Sequence, residues 1–370
     1  MTDERAIDIR AAVSRAFGAP LVIETVRLRA PRAAEVRVRI DAVAICQSDL
    51  AYIDNHWGGD LPAVWGHEAA GTVVDAGPDA GLEPGTRLAV TLIRSCGTCP
   101  RCRAGLAVEC TSKPHVAQPL TGTAGGAITH GMDTAAFAEQ VLVHRSQVVP
   151  IPDALSSDVA ALLACGVMTG FGAVVNTAGL ADSASVVVIG SGGVGLHAVQ
   201  GARIRGAHPI VAVDPADTRL RMAERLGATH ALNPIDTDPV AALDEITSGR
   251  MADAVFVTTG ARAALEWAYS LVAPGGTLVL VGMPPTGVTM PIDVGTLAAR
   301  NQRVLGSKMG TAVPERDLPR LVALYQHGEL HVDELITGRY PFERINEAIE
   351  SSRRGEGIRN VILFDPRAGG

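Results

Sequence analysis

Four of the six cysteines in this chain of 370 residues fall in "CGTCPRCRAGLAVEC", Cys96, Cys99, Cys102 and Cys110, spaced C-x2-C-x2-C-x7-C. Four thiolates around one Zn2+ complete a tetrahedral shell and leave no open position, so such a site is structural. The intervening "GT", "PR" and "RAGLAVE" suit a loop folded round one ion. The other two cysteines, Cys46 and Cys165, stand far from the cluster and from each other. With His67 they offer two thiolates and an imidazole, a set that keeps a fourth position for water or substrate and so suits catalysis. Spacing alone does not bring these three together. Taken singly, each also reads as a buried core residue.

A third constellation is "GSGGVG". Gly190, Gly192 and Gly195 fit G-x-G-x-x-G, with Gly193 and Val194 opening the helix that follows. The first glycine makes a tight turn, the second admits a pyrophosphate against the backbone, and the third lets helix and strand pack closely. The helix N-terminus adds free N–H groups and a positive dipole end. A second strand ends in Asp214, 19 residues after Gly195. A carboxylate there accepts hydrogen bonds from ribose hydroxyls and repels a 2′-phosphate, which favours NAD over NADP. The nearby Arg219 could bind that phosphate, but a basic residue beside an aspartate does not reverse the preference.

Elements must position these groups. "EVRVRIDAVAI" alternates and then turns wholly apolar, like a strand entering a core. "AAGTVVDAG" and "TRLAVTLI" are similar, which gives a β-rich first part. From about Cys165 strands and helices alternate: "SVVVIG", "PIVAVD", "ADAVFVTTG" and "GTLVLVG" as strands, with helices near Gly193–Arg205, Thr218–Ala228 and Ala261–Val272. Such alternation predicts a doubly wound parallel sheet. The C-terminal region adds helices near Asp317–His327 and Ile345–Arg353 and a last strand, "NVILF".

The net charge is −7 with no basic run, which argues against nucleic acid or an anionic membrane as partner. No apolar segment is read as reaching the roughly 20 residues that span a bilayer. The N-terminus "MTDERAIDIR" has no apolar signal core, so a cytoplasmic protein is expected. In that compartment clustered cysteines are metal ligands more often than disulfides.

These residues carry a resemblance. "CQSD" (Cys46–Asp49), "GHEAAG" (Gly66–Gly71) and "CGVMTG" (Cys165–Gly170), with the four-cysteine lobe and "GSGGVG" in order, resemble the zinc-dependent medium-chain alcohol dehydrogenases, bacterial long-form branch. The resemblance implies an α/β chain of two domains. A β-rich, GroES-like catalytic domain would comprise residues 1–166 and 307–370, and a Rossmann domain residues 167–306. It implies two zincs per chain, NAD, and a homodimer or homotetramer. Cys46, His67 and Cys165 would hold the catalytic zinc. Ser48 would take the alcohol proton, with Asp49 and Glu68 supporting the ligands. Thr169 and Val194 would contact the nicotinamide, and Arg359 the pyrophosphate.

Two departures stand out. Gln47 replaces an arginine that many relatives pair with the pyrophosphate, and Ala51 replaces a proton-relay histidine. Hydride transfer between an alcohol, or its aldehyde or ketone, and NAD is the implied reaction, and the small Ser48 leaves room for a secondary or bulky alcohol. The alternatives are oxidation of an S-hydroxymethyl thiol adduct, as in thiol-dependent formaldehyde dehydrogenases, and reduction of another C=X group. A thiol adduct would need a cationic patch, to which Arg94 and Lys113 could contribute. Trp57 and Leu92 are candidate pocket walls.

Overall fold

Strand Glu35–Ala44 shows how the first part of the chain becomes sheet. Val36, Val38 and Ile40 are buried while Arg37 and Arg39 lie between them part-exposed. That is the period-two pattern of a half-covered strand. From Ala42 onward both faces are covered. The computed structural model describes residues 6–364. Contacts divide them into two units. One holds the residues up to Cys165 with Val313–Ala323 and those from Val332, and the other Gly166–Ala312 with Leu324–His331.

In the first unit Glu35–Ala44 is central to a seven-stranded sheet. The order is Val148–Pro150, Arg87–Val90, Glu68–Ala76, Glu35–Ala44, Arg359–Leu363, Ile336–Pro341, with Gln140–His144 also on Glu35–Ala44. A closed barrel of five strands completes the unit: Ile7–Ser14, Val22–Leu28, Leu120–Gly122, Ala127–His130 and Ala63–Val64. The last strand, predicted as separate from the parallel sheet, lies here, antiparallel to Glu35–Ala44.

The second unit is a parallel sheet of six strands, in the order His230–Leu232, Ile210–Val213, Val186–Ile189, Ala252–Val257, Val272–Leu280, Arg303–Gly306. Val186–Ile189 is buried at every residue, as a strand covered on both faces must be. The sequence pattern missed His230–Leu232 and helix Pro239–Thr247. The unit runs beyond residue 306 to Ala312 because the turn Met309–Thr311 packs against helix Met168–Gly172. A Cβ on Gly172 would lie 2.5 Å from the Gly310 carbonyl oxygen. Leu324–His331 joins it through Gln200, whose amide exchanges two hydrogen bonds with the backbone of His331, 2.9 and 2.7 Å.

One expectation fails. Ser157–Ala178 forms a continuous helical run of 22 residues, long and apolar enough to cross a membrane. It is buried inside the protein, so its apolar character serves a core. Within it the winding loosens to a π-helix at Leu163–Val167 and again at Ala173–Ala178.

Candidate active site and metal centres

Cys46 is the N-cap of the short helix Gln47–Ile53. Asp49, in its first turn, accepts a hydrogen bond from the Cys46 N–H at 2.9 Å, which closes a capping box. The other carboxylate oxygen accepts from the Gly66 N–H at 3.0 Å and meets His67 Nδ1 at 3.1 Å. One buried acid thus fixes two ligand-bearing segments and leaves His67 Nε2 facing Cys165 Sγ at 3.4 Å. A carboxylate on the far ring nitrogen fixes the tautomer and raises the ligand's basicity. Gly66 must be glycine. Its φ is +93°, and a Cβ would lie 2.7 Å from both the nitrogen and the ring of Phe137.

Cys165 sits on the π-helical stretch Leu163–Val167. A π-bulge inserts one extra residue into a turn and re-aims a side chain, which is why such bulges gather at functional sites. Nothing in the sequence periodicity announced it. The result is four buried donors, Cys46, His67, Glu68 and Cys165, whose ligand atoms all lie within 4.8 Å of one another.

The electrostatics suit a cation. Hydrogen bonds from Cys165 and His67 hold the Cys46 thiol well below its ordinary pKa, while Cys165 is held well above. Burial works against charging His67, but Asp49 and Cys46 outweigh it and keep the imidazole well above its usual value. Burial pushes Glu68 up to about 8, against the attraction of Arg359. Glu68 Oε1 is buried with no hydrogen-bond partner. Two thiols, an imidazole and an orphaned carboxylate oxygen form a donor set that fits zinc, whose binding would displace protons from the thiols.

Ser48 lies next to this cluster in sequence, partly exposed on the same helix, and Ala51 is buried one turn on. His56 is exposed beyond the helix end. Trp57 packs edge-on against Tyr52 at 5.3 Å, and Tyr52 stacks on Trp65 at 4.8 Å. Leu92 is half-buried.

Arg359, expected at a pyrophosphate, has a side chain only 6% exposed that forms an ion pair with Glu68 through one guanidinium nitrogen. Burial opposes its charge, yet Glu68 and the neighbouring thiols keep it cationic. The strand pairing of Arg359–Leu363 with Glu35–Ala44 places it behind the ligand cluster. Its Nε lacks a partner as well. Removing one partner of a buried pair costs about 3–5 kcal/mol. Arg359→Leu is therefore expected to lower unfolding free energy by about that much in urea denaturation. A variant of wild-type stability would show that the pair with Glu68 carries no such weight.

The second centre is the lobe. Cys96 and Cys102 Sγ lie 4.0 Å apart and Cys99 and Cys110 Sγ 3.9 Å apart. A disulfide needs about 2.05 Å. A zinc–sulfur bond of about 2.3 Å gives a tetrahedron edge of about 3.8 Å, which the spacings match. The thiols also accept backbone N–H groups: Cys96 from Cys99 at 3.3 Å, and Cys99 from Cys102 at 3.4 Å. The Cys102 N–H pulls Cys99 down to about 5, while burial pushes Cys102 up to about 12.

The second unit gathers the dinucleotide residues. Gly190 has φ +94°, and a Cβ on Gly195 would lie 1.8 Å from the Gly190 carbonyl oxygen. Around Gly192 a Cβ would meet nothing within 4 Å, so the cradle is open where a pyrophosphate would lie. Gly193 and Val194 begin helix Gly193–Ile204. Asp214 is 3% exposed and accepts from the N–H groups of Ser191 at 2.7 Å and Ala216 at 2.9 Å. That leaves acceptor capacity on both oxygens. Arg219 lies 4.0 Å from Asp214, so its charge is turned toward the acid. Thr169, 9% exposed, is on helix Met168–Gly172. This helix meets Gly193–Ile204 so closely that a Cβ on Gly170 would lie 2.1 Å from the Val194 carbonyl oxygen.

Arg94 is not a free cation. It pairs with Asp133 at 2.5 Å and donates to the Pro114 carbonyl at 2.9 Å. Lys113 is exposed.

Comparison with known proteins agrees with this geometry. Residues 32–153 match the alcohol dehydrogenase GroES-like domain, and 193–327 the zinc-binding dehydrogenase family. The chain is 35% identical over 367 residues to an NDMA-dependent alcohol dehydrogenase of Amycolatopsis methanolica, covering 96% of this chain and 98% of the relative. A zinc-binding-domain alcohol dehydrogenase structure from Burkholderia ambifaria superposes with TM-score 0.91 at 35% identity, covering 97% of this chain and 99% of that one. Benzyl alcohol dehydrogenase from Acinetobacter calcoaceticus follows at TM-score 0.88 and 31% identity, with 97% and 99% covered.

Proposed function

The chain belongs to the zinc-dependent medium-chain alcohol dehydrogenases, and from that premise we propose that it transfers hydride between an alcohol and NAD. The observation that carries this reading is the buried set Cys46, His67, Glu68 and Cys165 with ligand atoms within 4.8 Å. When bound, zinc polarises the substrate oxygen and NAD takes up the hydride. The chain's own residues do the rest. Asp49 holds the proton on His67 Nδ1, which keeps Nε2 as a ligand atom. Ser48 Oγ accepts the alcohol proton as general base relay. With alanine at position 51, no imidazole one turn on from Ser48 takes that proton, and Ser48 hands it to water. Arg359 keeps a positive charge against Glu68 and so moderates the negative charge of the thiolates and carboxylate. We assign catalysis to the unit that holds the residues up to Cys165 with Val313–Ala323 and those from Val332, and the cofactor to Gly166–Ala312 with Leu324–His331.

An alcohol is favoured over a thiol adduct because, of the two cations such an adduct could use, Arg94 is already paired with Asp133, which leaves Lys113 alone. The net charge of −7 supports a small-molecule substrate rather than nucleic acid or membrane. Six free cysteines in two ligand-like groups support a reducing, cytoplasmic setting. We expect a homodimer or homotetramer, as the family resemblance implies.

The test is NAD reduction screened over aliphatic, aromatic and thiol-adduct alcohols, repeated with NADP. Turnover of no alcohol by zinc-loaded protein would refute the reading. Wild type is expected to prefer NAD, and Asp214→Ala to narrow the kcat/KM ratio by about tenfold, near the 1.4 kcal/mol that one charge-assisted hydrogen bond contributes. Equal efficiency with both cofactors in the wild type would contradict the role of Asp214.

A further inference from the structure

The turn after strand Ala127–His130 is strained. Met132, Asp133 and Ala135 all have φ between 50° and 55°, a region that side chains other than glycine rarely adopt. Three such residues within four positions persist only where neighbours hold them. Those neighbours are visible. Asp133 Oδ2 receives Arg94 at 2.5 Å and its Oδ1 meets His115 Nδ1 at 3.3 Å. The fully buried Gln147 donates to the Asp133 carbonyl at 2.9 Å and to the Thr91 carbonyl at 3.2 Å. On the inner side, a Cβ on Gly131 would lie 2.3 Å from the Val64 carbonyl oxygen.

Both ends of this turn lead somewhere. Arg94 stands two residues before Cys96, and its second contact, Pro114, stands four after Cys110. One guanidinium therefore clasps the neck of the four-cysteine lobe and ties it to the turn. Beyond the turn, Ala136 N–H donates to the Gly66 carbonyl and Phe137 N–H to the Trp65 carbonyl, both at 2.9 Å. Gly66 is the residue before His67, and its own N–H is held by Asp49. His67 is thus positioned from one side by Asp49 and from the other by a segment whose course the strained turn sets.

We propose that Arg94 and Asp133 are positioning residues that fasten the neck of the four-cysteine lobe to the turn holding Gly66 and His67. The state of the lobe then sets how firmly the Cys46–His67–Cys165 cluster holds its metal. This rests on the two-metal reading given above. The lobe, on this view, is more than a local staple, because its neck and the catalytic imidazole share one chain of contacts. Its links are the Arg94–Asp133 ion pair, the backbone hydrogen bonds from Ala136 and Phe137, and the short runs of chain between them, and none requires a group to change protonation.

Co2+ is a suitable probe, since its thiolate absorption reports each site, and Cys46→Ser identifies the bands of the lobe. Full-length wild type, Asp133→Asn, Arg94→Ala, Arg94→Lys and the double variant are loaded with Co2+ and titrated with dipicolinate. Hydrogen exchange at residues 65–67 and 131–137 is followed in parallel. Asp133→Asn is expected to weaken the catalytic site by about tenfold, the lower end of what partners directly behind a metal ligand contribute. Exchange in both segments should quicken while the urea midpoint stays near wild type. Arg94→Lys should recover part of the loss, and the double variant should be no worse than the worse single one. Cys102→Ala should weaken the catalytic site too, and no further in the Asp133→Asn background. Wild-type affinity in Asp133→Asn, or fully additive effects of Arg94→Ala and Asp133→Asn, would overturn the proposal alone. Wild type that binds a single Co2+ would overturn the two-metal reading and the proposal together.

Discussion

Cys46→Ser is expected to leave a folded protein that holds one zinc per chain and turns over at least about a thousandfold more slowly. A serine hydroxyl stays protonated where the thiol is held as thiolate, so the cluster loses its best anionic donor. Lewis-acid assistance contributes several kcal/mol to such a reaction, and each 1.4 kcal/mol is about tenfold in rate. The change removes little volume, and Cys46 lies at a helix N-cap where serine is favoured, so the fold should survive. Metal analysis with steady-state kinetics checks this. Two tightly held zincs in the variant, or turnover within tenfold of wild type, would be decisive against the assignment. So would a wild type that never binds more than one.

Cys102→Ala is expected to unfold the lobe while most of the protein stays native. Within Cys96–Cys110 the buried apolar side chains are Ala107 and Val108, besides Cys110 itself, too few to offset the ordering of the segment. Ordering costs about 1–2 kcal/mol per residue, whereas a structural zinc supplies about 10–16 kcal/mol. Three remaining thiols leave the shell incomplete. Arg101 and Arg103 are exposed on the short helix Pro100–Arg103, so trypsin should cut there once the helix loosens. Limited proteolysis with mass mapping, beside zinc content, reads the effect. A variant that keeps both zincs and the wild-type cleavage pattern would sink the structural-zinc assignment. Loss of the zinc at Cys46 alone, with the lobe intact, would mean the two sites are exchanged.

The lobe and the dinucleotide turn were legible because their donors are close in sequence. C-x2-C-x2-C-x7-C can only fold back on itself, and the Cys96–Cys110 thiols lie within reach of one ion. A glycine fingerprint between a strand and a helix likewise needs only local geometry, and Gly195 indeed sits where no Cβ fits. The alternation of Val36, Val38 and Ile40 identified a strand for the same reason, since burial on one face has a period of two.

Groups far apart in the chain were a different matter. Cys165, which reaches His67, sits on a π-helical turn, and such a turn leaves no period in the sequence. Position 359 reads as a cation in a terminal strand. Only the pairing of that strand with Glu35–Ala44 buries it against Glu68, 291 residues away, where an unpaired charge would be costly. The apolar run Ser157–Ala178 is ambiguous in sequence because a membrane span and a core helix have the same composition, and burial alone separates them. Local hydrogen bonding and sterics act over a few residues and so can be read from the letters. Long-range pairing is set by which faces remain to be covered, and that is decided by the whole fold.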